Sequence, residues 1–200
     1  MIKVWPTWLG LFAGLGAITA GLMMGADTQE GWQLAARYTA RASFPFFIIT
    51  FVASAIHIVY RRPWSIALLR DRRWWGLGFA SCFIAHLVAL LMNNWLKGNF
   101  PPAGLLDPGV WVYAILLAMV LTSTDEARHR MGRWWKVLHR LGMWALFFIF
   151  VVSPYAEALH ALKMPEFNPL TDPYTLIGVP ALAIKIAAWQ RNRNKRMQNA

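Results

Sequence analysis

The sequence predicts an all-α, polytopic membrane protein: a six-transmembrane-helix bundle with both termini cytoplasmic. Three observations carry this. Hydrophobic residues make up 58% of the 200, charged residues only 14%, where a soluble domain carries about a quarter. Six apolar runs approach the roughly 20 residues needed to cross a bilayer. The basic residues gather in alternate loops, which gives the orientation.

The spans fall at about 5–24, 42–60, 75–96, 104–123, 141–160 and 174–190. The first is not followed by a small-residue cleavage site, so it is expected to remain as a span. Gly10, Gly14 and Gly21 on it recur at near-helical spacing and predict close helix packing. Turn-formers separate the runs at Gly25 to Gly31, at Asn99-Phe100-Pro101-Pro102 and at Pro165 to Pro173. The sixth run is short and holds Lys185, whose stem is expected to snorkel toward the surface. With no long linker, repeat or low-complexity tract, residues 1–200 read as a single domain.

Fifteen of the 20 basic residues lie on one side: Lys3, five arginines over 61–73, five basic residues over 124–140 and four in the tail. The other side has Arg37, Arg41, Lys97 and Lys163 among six acids. The positive-inside rule places the rich side, with both termini, in the cytoplasm. Tryptophans such as Trp5, Trp74, Trp75, Trp95, Trp134, Trp135 and Trp189 stand near span ends, as an aromatic belt requires. The net charge of +11 is thus explained by topology, and no nucleic-acid partner is implied. Membrane lipid is the implied surroundings, and the basic loops are suited to anionic headgroups. One cysteine, Cys82, excludes an internal disulfide and a cysteine-cluster metal site.

Ionisable residues inside spans are costly and become functional candidates. His86 lies eleven residues into the third span, about 17 Å of rise from its start, with Cys82 and Asn93 on the same face. A neutral imidazole there needs a hydrogen-bond partner or a metal, so a helix–helix bond and a ligand role both stand. His139 opens the fifth span and His57 closes the second, both at the cytoplasmic level. Histidines on different helices at one level suit bis-imidazole haem; interfacial snorkelling is the plain alternative. His160 ends the fifth span on the outer side, and 21 residues separate it from His139, too far to share one metal. His129 sits in a basic loop and reads as solvated. Phosphate-binding glycine loops, paired metalloprotease histidines and nucleophilic triads are absent. A transporter would favour broken helices with midplane carboxylates, whereas the acids here are mostly in loops.

The stretch Leu121-Thr122-Ser123-Thr124, then Gly132-Arg133-Trp134-Trp135, then Leu138-His139-Arg140-Leu141 resembles the ferric-reductase-like transmembrane family. Within it, the likeness is closest to haem-binding membrane subunits of bacterial periplasmic methionine sulfoxide reductase systems. Tyr38-Thr39-Ala40-Arg41 resembles the start of that family's second span, and Arg72-Arg73-Trp74-Trp75-Gly76-Leu77 with Ala85-His86-Leu87 its third. The likeness covers roughly residues 30 to 150.

The resemblance implies haem b, one or two per chain, with His86 and His139 as iron ligands. His57, which has no counterpart in the family but lies at the level of His139, and His160, on the same helix as His139, are the possible opposite ligands. The family's further ligand, about four turns after the fifth-span histidine, falls here near Val152, which cannot bind iron. Anionic haem propionates favour guanidinium forks, and Arg41, isolated on the acidic side, is placed for that. Arg73, Arg133 and Arg140 offer the same on the basic side, where lipid contact accounts for them as well.

The resemblance further implies an electron relay across the bacterial inner membrane, from a flavin reductase or quinone to a periplasmic reductase subunit or other acceptor. The chain would then be the electron-transfer subunit of an oxidoreductase rather than a complete enzyme, with no FAD or NAD domain of its own. The competing reading is a haem-poor or haem-free membrane anchor or assembly partner with the same fold.

Overall fold

The computed structural model describes residues 4–98, 108–152 and 173–198, and within these the chain is helical, with no strand. In order the helices are α1 (Trp5–Met24), α2 (Thr28–Tyr60), α3 (Pro63–Leu96), α4 (Pro108–Leu121), α5 (Asp125–Met131), α6 (Arg133–Phe147), which runs on as a π-helical turn over Phe148–Val152, and α7 (Pro173–Gln198). Among the described residues four helices are long and apolar enough to cross a membrane: α1, α2, α3 and α6 with its π turn. The bent pair of α4 and α5, at 103°, makes a fifth if counted as one span. This is a multi-pass membrane protein. α7 covers the sixth predicted run but is not among those helices, its apolar stretch being short and interrupted by Lys185.

Helices run further than hydropathy alone predicts. α2 begins at Thr28, so Gly31 lies inside it rather than in a turn. There the Asp27 carboxylate accepts from the Glu30 N–H (2.7 Å) and Glu30 reaches back to the Ala26 N–H (2.8 Å). These local bonds satisfy N-terminal donors that would otherwise be orphaned. The predicted 61–73 loop shrinks to two residues, Arg61 and Arg62, with Arg61 at a φ of 44°. α3 then starts at Pro63, and Ser65 accepts from the Arg62 N–H at 3.1 Å, a reciprocal cap. The 103° bend is set by Thr124, which caps α5 by accepting from the Ala127 N–H (3.1 Å).

The chain forms two compact units, Met1–Phe47 with Arg73–Gly142, and Ile48–Arg72 with Met143–Ala200. In the first, α1 packs through its glycines: Gly10 against the Gly78 backbone, Gly14 against Cys82 and Ala85, Gly21 against Ala35. Close backbone approach replaces the absent hydrophobic drive between helices in lipid. Ala35, Ala36 and Ala89 form a small buried cluster edged by Ile18, Trp32 and Leu90. A chain of rings continues from Phe47 to Phe79 (5.6 Å), Phe83 (5.2 Å) and Tyr113 (4.9 Å).

The second unit centres on Phe51, stacked on Phe147 at 4.8 Å and edge-on to Trp144 at 5.3 Å. Lys185 does not snorkel away. Its ammonium lies 4.3 Å over the Phe51 ring, an arrangement worth about 2 kcal/mol when desolvated. Arg72 donates to the Thr50 carbonyl (2.9 Å) and Arg191 to the Val59 carbonyl (2.6 Å).

A methyl group at Gly10 would collide with the Gly78 backbone, whereas one at Gly16 meets nothing within 4 Å. Gly10→Ala is therefore expected to cost about 1–3 kcal/mol through overpacking and to lower the thermal midpoint in detergent. Gly16→Ala should leave it unchanged; equal midpoints for the two variants would contradict the packing.

Candidate functional site

Among the described residues, His86, His139 and His57 each sit against a side-chain hydroxyl. On α3, the His86 Nδ1 lies 3.1 Å from Thr39 Oγ1 on α2. On α6, the His139 Nε2 lies 3.2 Å from the Oγ1 of Thr122, in the turn that follows α4. In the second unit, the His57 Nδ1 lies 3.3 Å from Ser65 Oγ.

Each hydroxyl is already committed. Thr39 Oγ1 is 2.7 Å from the Ala35 carbonyl and 3.0 Å from that of Ala36. Thr122 Oγ1 is 2.7 Å from the Ala118 carbonyl, and Ser65 Oγ is 2.8 Å from that of Arg62. A hydroxyl carries one proton and a carbonyl only accepts. With that proton on the backbone, as the short carbonyl distances favour, the hydroxyl oxygen is left to accept from the imidazole. That arrangement protonates Nδ1 in His86 and His57 and Nε2 in His139. The lone pairs fall on the opposite nitrogens: Nε2 for the first two, Nδ1 for His139.

The surroundings differ. His86 is half-buried beside the Phe83 ring (5.2 Å). Tyr113 stacks on Phe83, and its hydroxyl is buried with no hydrogen-bond partner among the described residues; the same holds for Asn93 Oδ1. Buried polar atoms left unpaired cost about 1–3 kcal/mol, and such orphans signal a missing polar partner. His139 stacks on Trp135 at 4.2 Å, and the Trp135 indole donates to the Thr122 carbonyl at 2.8 Å. Arg128 lies 5.6 Å over Trp135. The spaced residues Thr122, Trp135 and His139 thus form one cluster.

The remaining candidates part company. Arg41 is exposed on α2, and His129 is exposed on α5. Arg73 pairs with Asp125 at 3.3 Å, and Arg133 covers Trp134 at 5.3 Å. His160 lies outside the described residues, as does the side chain of Val152. Thr39, Ser65 and Thr122 were not singled out as histidine partners from sequence. The available signal was a hydroxyl residue within an apolar helix, able to bond its own i−4 carbonyl.

Among the described residues no three His, Cys, Asp or Glu side chains come together to hold a metal ion. An imidazole anchored through one nitrogen, as His86 is at Thr39, has the donor chemistry that a haem iron takes from a protein.

Comparison with curated proteins agrees with this chemistry. The chain is similar to bacterial haem-binding subunits. A Klebsiella pneumoniae protein named "Protein-methionine-sulfoxide reductase heme-binding subunit MsrQ" is 25% identical over 161 residues, 77% of each chain. Proteins of the same name from Cronobacter sakazakii and Salmonella paratyphi B are 26% and 24% identical, each again over 77% of both chains. No family model matches the chain, and no solved structure does.

Trp135→Phe keeps a ring against His139 but removes the donor to the Thr122 carbonyl. The expected cost is about 1 kcal/mol, read as a lower thermal midpoint in detergent. An unchanged midpoint would mean that this bond does not hold the cluster.

Proposed function

We propose that the protein is a membrane haem b subunit that relays electrons across the bacterial inner membrane. On this reading the chain is one six-span domain with cytoplasmic termini. It draws electrons from a flavin reductase or a quinone and delivers them to a periplasmic reductase subunit. The observation that carries the proposal is His86: a half-buried imidazole whose Nδ1 lies 3.1 Å from the Thr39 hydroxyl, which leaves Nε2 to meet an iron. The names of the similar proteins, all heme-binding subunits, support it.

When bound, haem supplies reversible one-electron chemistry at its iron. The chain's own residues do the rest. His86, presented by α3, would be the first protein ligand to the iron. His139 is the second candidate. Its Nε2 becomes a donor when the ring gives up Thr122, and His57 offers Nε2 from the second unit. His160 completes the candidate ligands. Arg41 is the propionate partner proposed on the outer side, and the apolar rings about His86 keep water from the site and lower the local dielectric.

A second reading is favoured by two observations: the bond that holds the His139 Nε2 to Thr122, and Val152 at the place of the further ligand. On that reading the chain keeps the fold as a haem-free anchor for a partner subunit.

A reduced-minus-oxidised spectrum with pyridine haemochrome quantitation separates the two. Protein purified after expression with ample haem is expected to show a b-type α-band with one or two haems per chain. His86→Ala should lose at least one of them while staying folded. Haem-free wild-type protein would favour the anchor, and a full complement in His86→Ala would remove His86 from the site.

A further inference from the structure

We propose that Thr39 is the positioning residue for His86: its hydroxyl fixes the proton on Nδ1 and so turns the Nε2 lone pair toward the bound group. This rests on the reading of His86 as a ligand, but it concerns a residue to which that reading gives no role.

Thr39 is completely buried, and its Oγ1 sits 2.7 Å from the Ala35 carbonyl and 3.0 Å from that of Ala36. The His86 Nδ1 is 3.1 Å from the same oxygen. The two nitrogens of an imidazole point away from each other. With its own proton on a backbone carbonyl, the Thr39 oxygen takes the Nδ1 proton and leaves the lone pair to the other nitrogen. The arrangement is braced from α3 itself: one turn before His86, the Cys82 thiol approaches the Thr39 carbonyl at 3.8 Å. A single residue of α2 thus receives α3 twice, through its carbonyl and through its hydroxyl.

Partners that hold the far nitrogen of a ligating histidine fix its tautomer and raise its basicity. A more basic imidazole favours ferric over ferrous iron, so removal of the Thr39 acceptor should raise the midpoint potential. Thr39→Val replaces the hydroxyl with a methyl group of similar size. Thr39→Ser keeps the acceptor and serves as the rescue.

The first readout needs no haem. Ring 15N spectra of 15N-histidine-labelled, haem-free protein in nanodiscs should show His86, assigned by its absence in His86→Ala, protonated at Nδ1. In Thr39→Val the single tautomer should give way to a mixture, and Thr39→Ser should restore it. An Nε2-protonated His86 in the wild type, or a Thr39→Val spectrum identical to it, overturns the proposal. The second readout is haem titration with potentiometry. Thr39→Val should weaken haem binding by about 10–100-fold with a higher midpoint potential, and Thr39→Ser should stay near the wild type. Wild-type affinity and potential in Thr39→Val would also overturn it. Retention of haem by His86→Ala would instead sink the ligand reading, while the haem-free spectra would still decide whether Thr39 keys the ring.

Discussion

Everything in this protein answers to one constraint: a polar group in an apolar helix bundle must find its partner inside the bundle. Backbone groups meet it by forming helices, which is why the described residues contain no strand. Side-chain hydroxyls meet it by bonding the carbonyl one turn back, as Thr39, Ser81 and Thr122 do at 2.7–2.9 Å. A hydroxyl so committed has only lone pairs left to offer. That leaves Thr39, within α2, and Thr122, just past the end of α4, as acceptors facing His86 and His139. The chemistry of the site thus grows from the same requirement that shapes the fold.

The constraint also explains why the two histidines differ. Thr39 meets the Nδ1 of His86, and Thr122 meets the Nε2 of His139. His86 therefore meets its hydroxyl through Nδ1, whereas His139 is held through Nε2 within the Thr122–Trp135 cluster. The Tyr113 ring stacks on Phe83, which in turn lies beside His86, and its buried hydroxyl has no partner among the described residues.

Much of this was legible in the sequence. Apolar runs placed α1 and the apolar parts of α2, α3, α4 and α6, and the spacing of Gly10, Gly14 and Gly21 foretold the backbone approach to Gly78, Cys82 and Ala35. The run from Thr122 through Trp135 to His139 was visible as a pattern, but its cause is tertiary: an indole on a carbonyl and an imidazole on a hydroxyl. Hydropathy could not find the helical extensions at Thr28–Arg41 and Pro63–Trp74, because there helix is maintained by capping and propensity, not by apolar content. Nor could it place Lys185 over Phe51. Charge arithmetic sends a lysine to the surface, whereas a cation over a ring depends on which faces meet.

Transmembrane electron flow is the claim on which the account stands. Proteoliposomes containing the haem-loaded protein, with ferricyanide trapped inside and dithionite added outside, measure it directly. The account predicts haem-dependent bleaching of the trapped ferricyanide, well above that of empty vesicles and strongly reduced in His86→Ala. Bleaching at the rate of empty vesicles, from protein carrying its full haem, would contradict it.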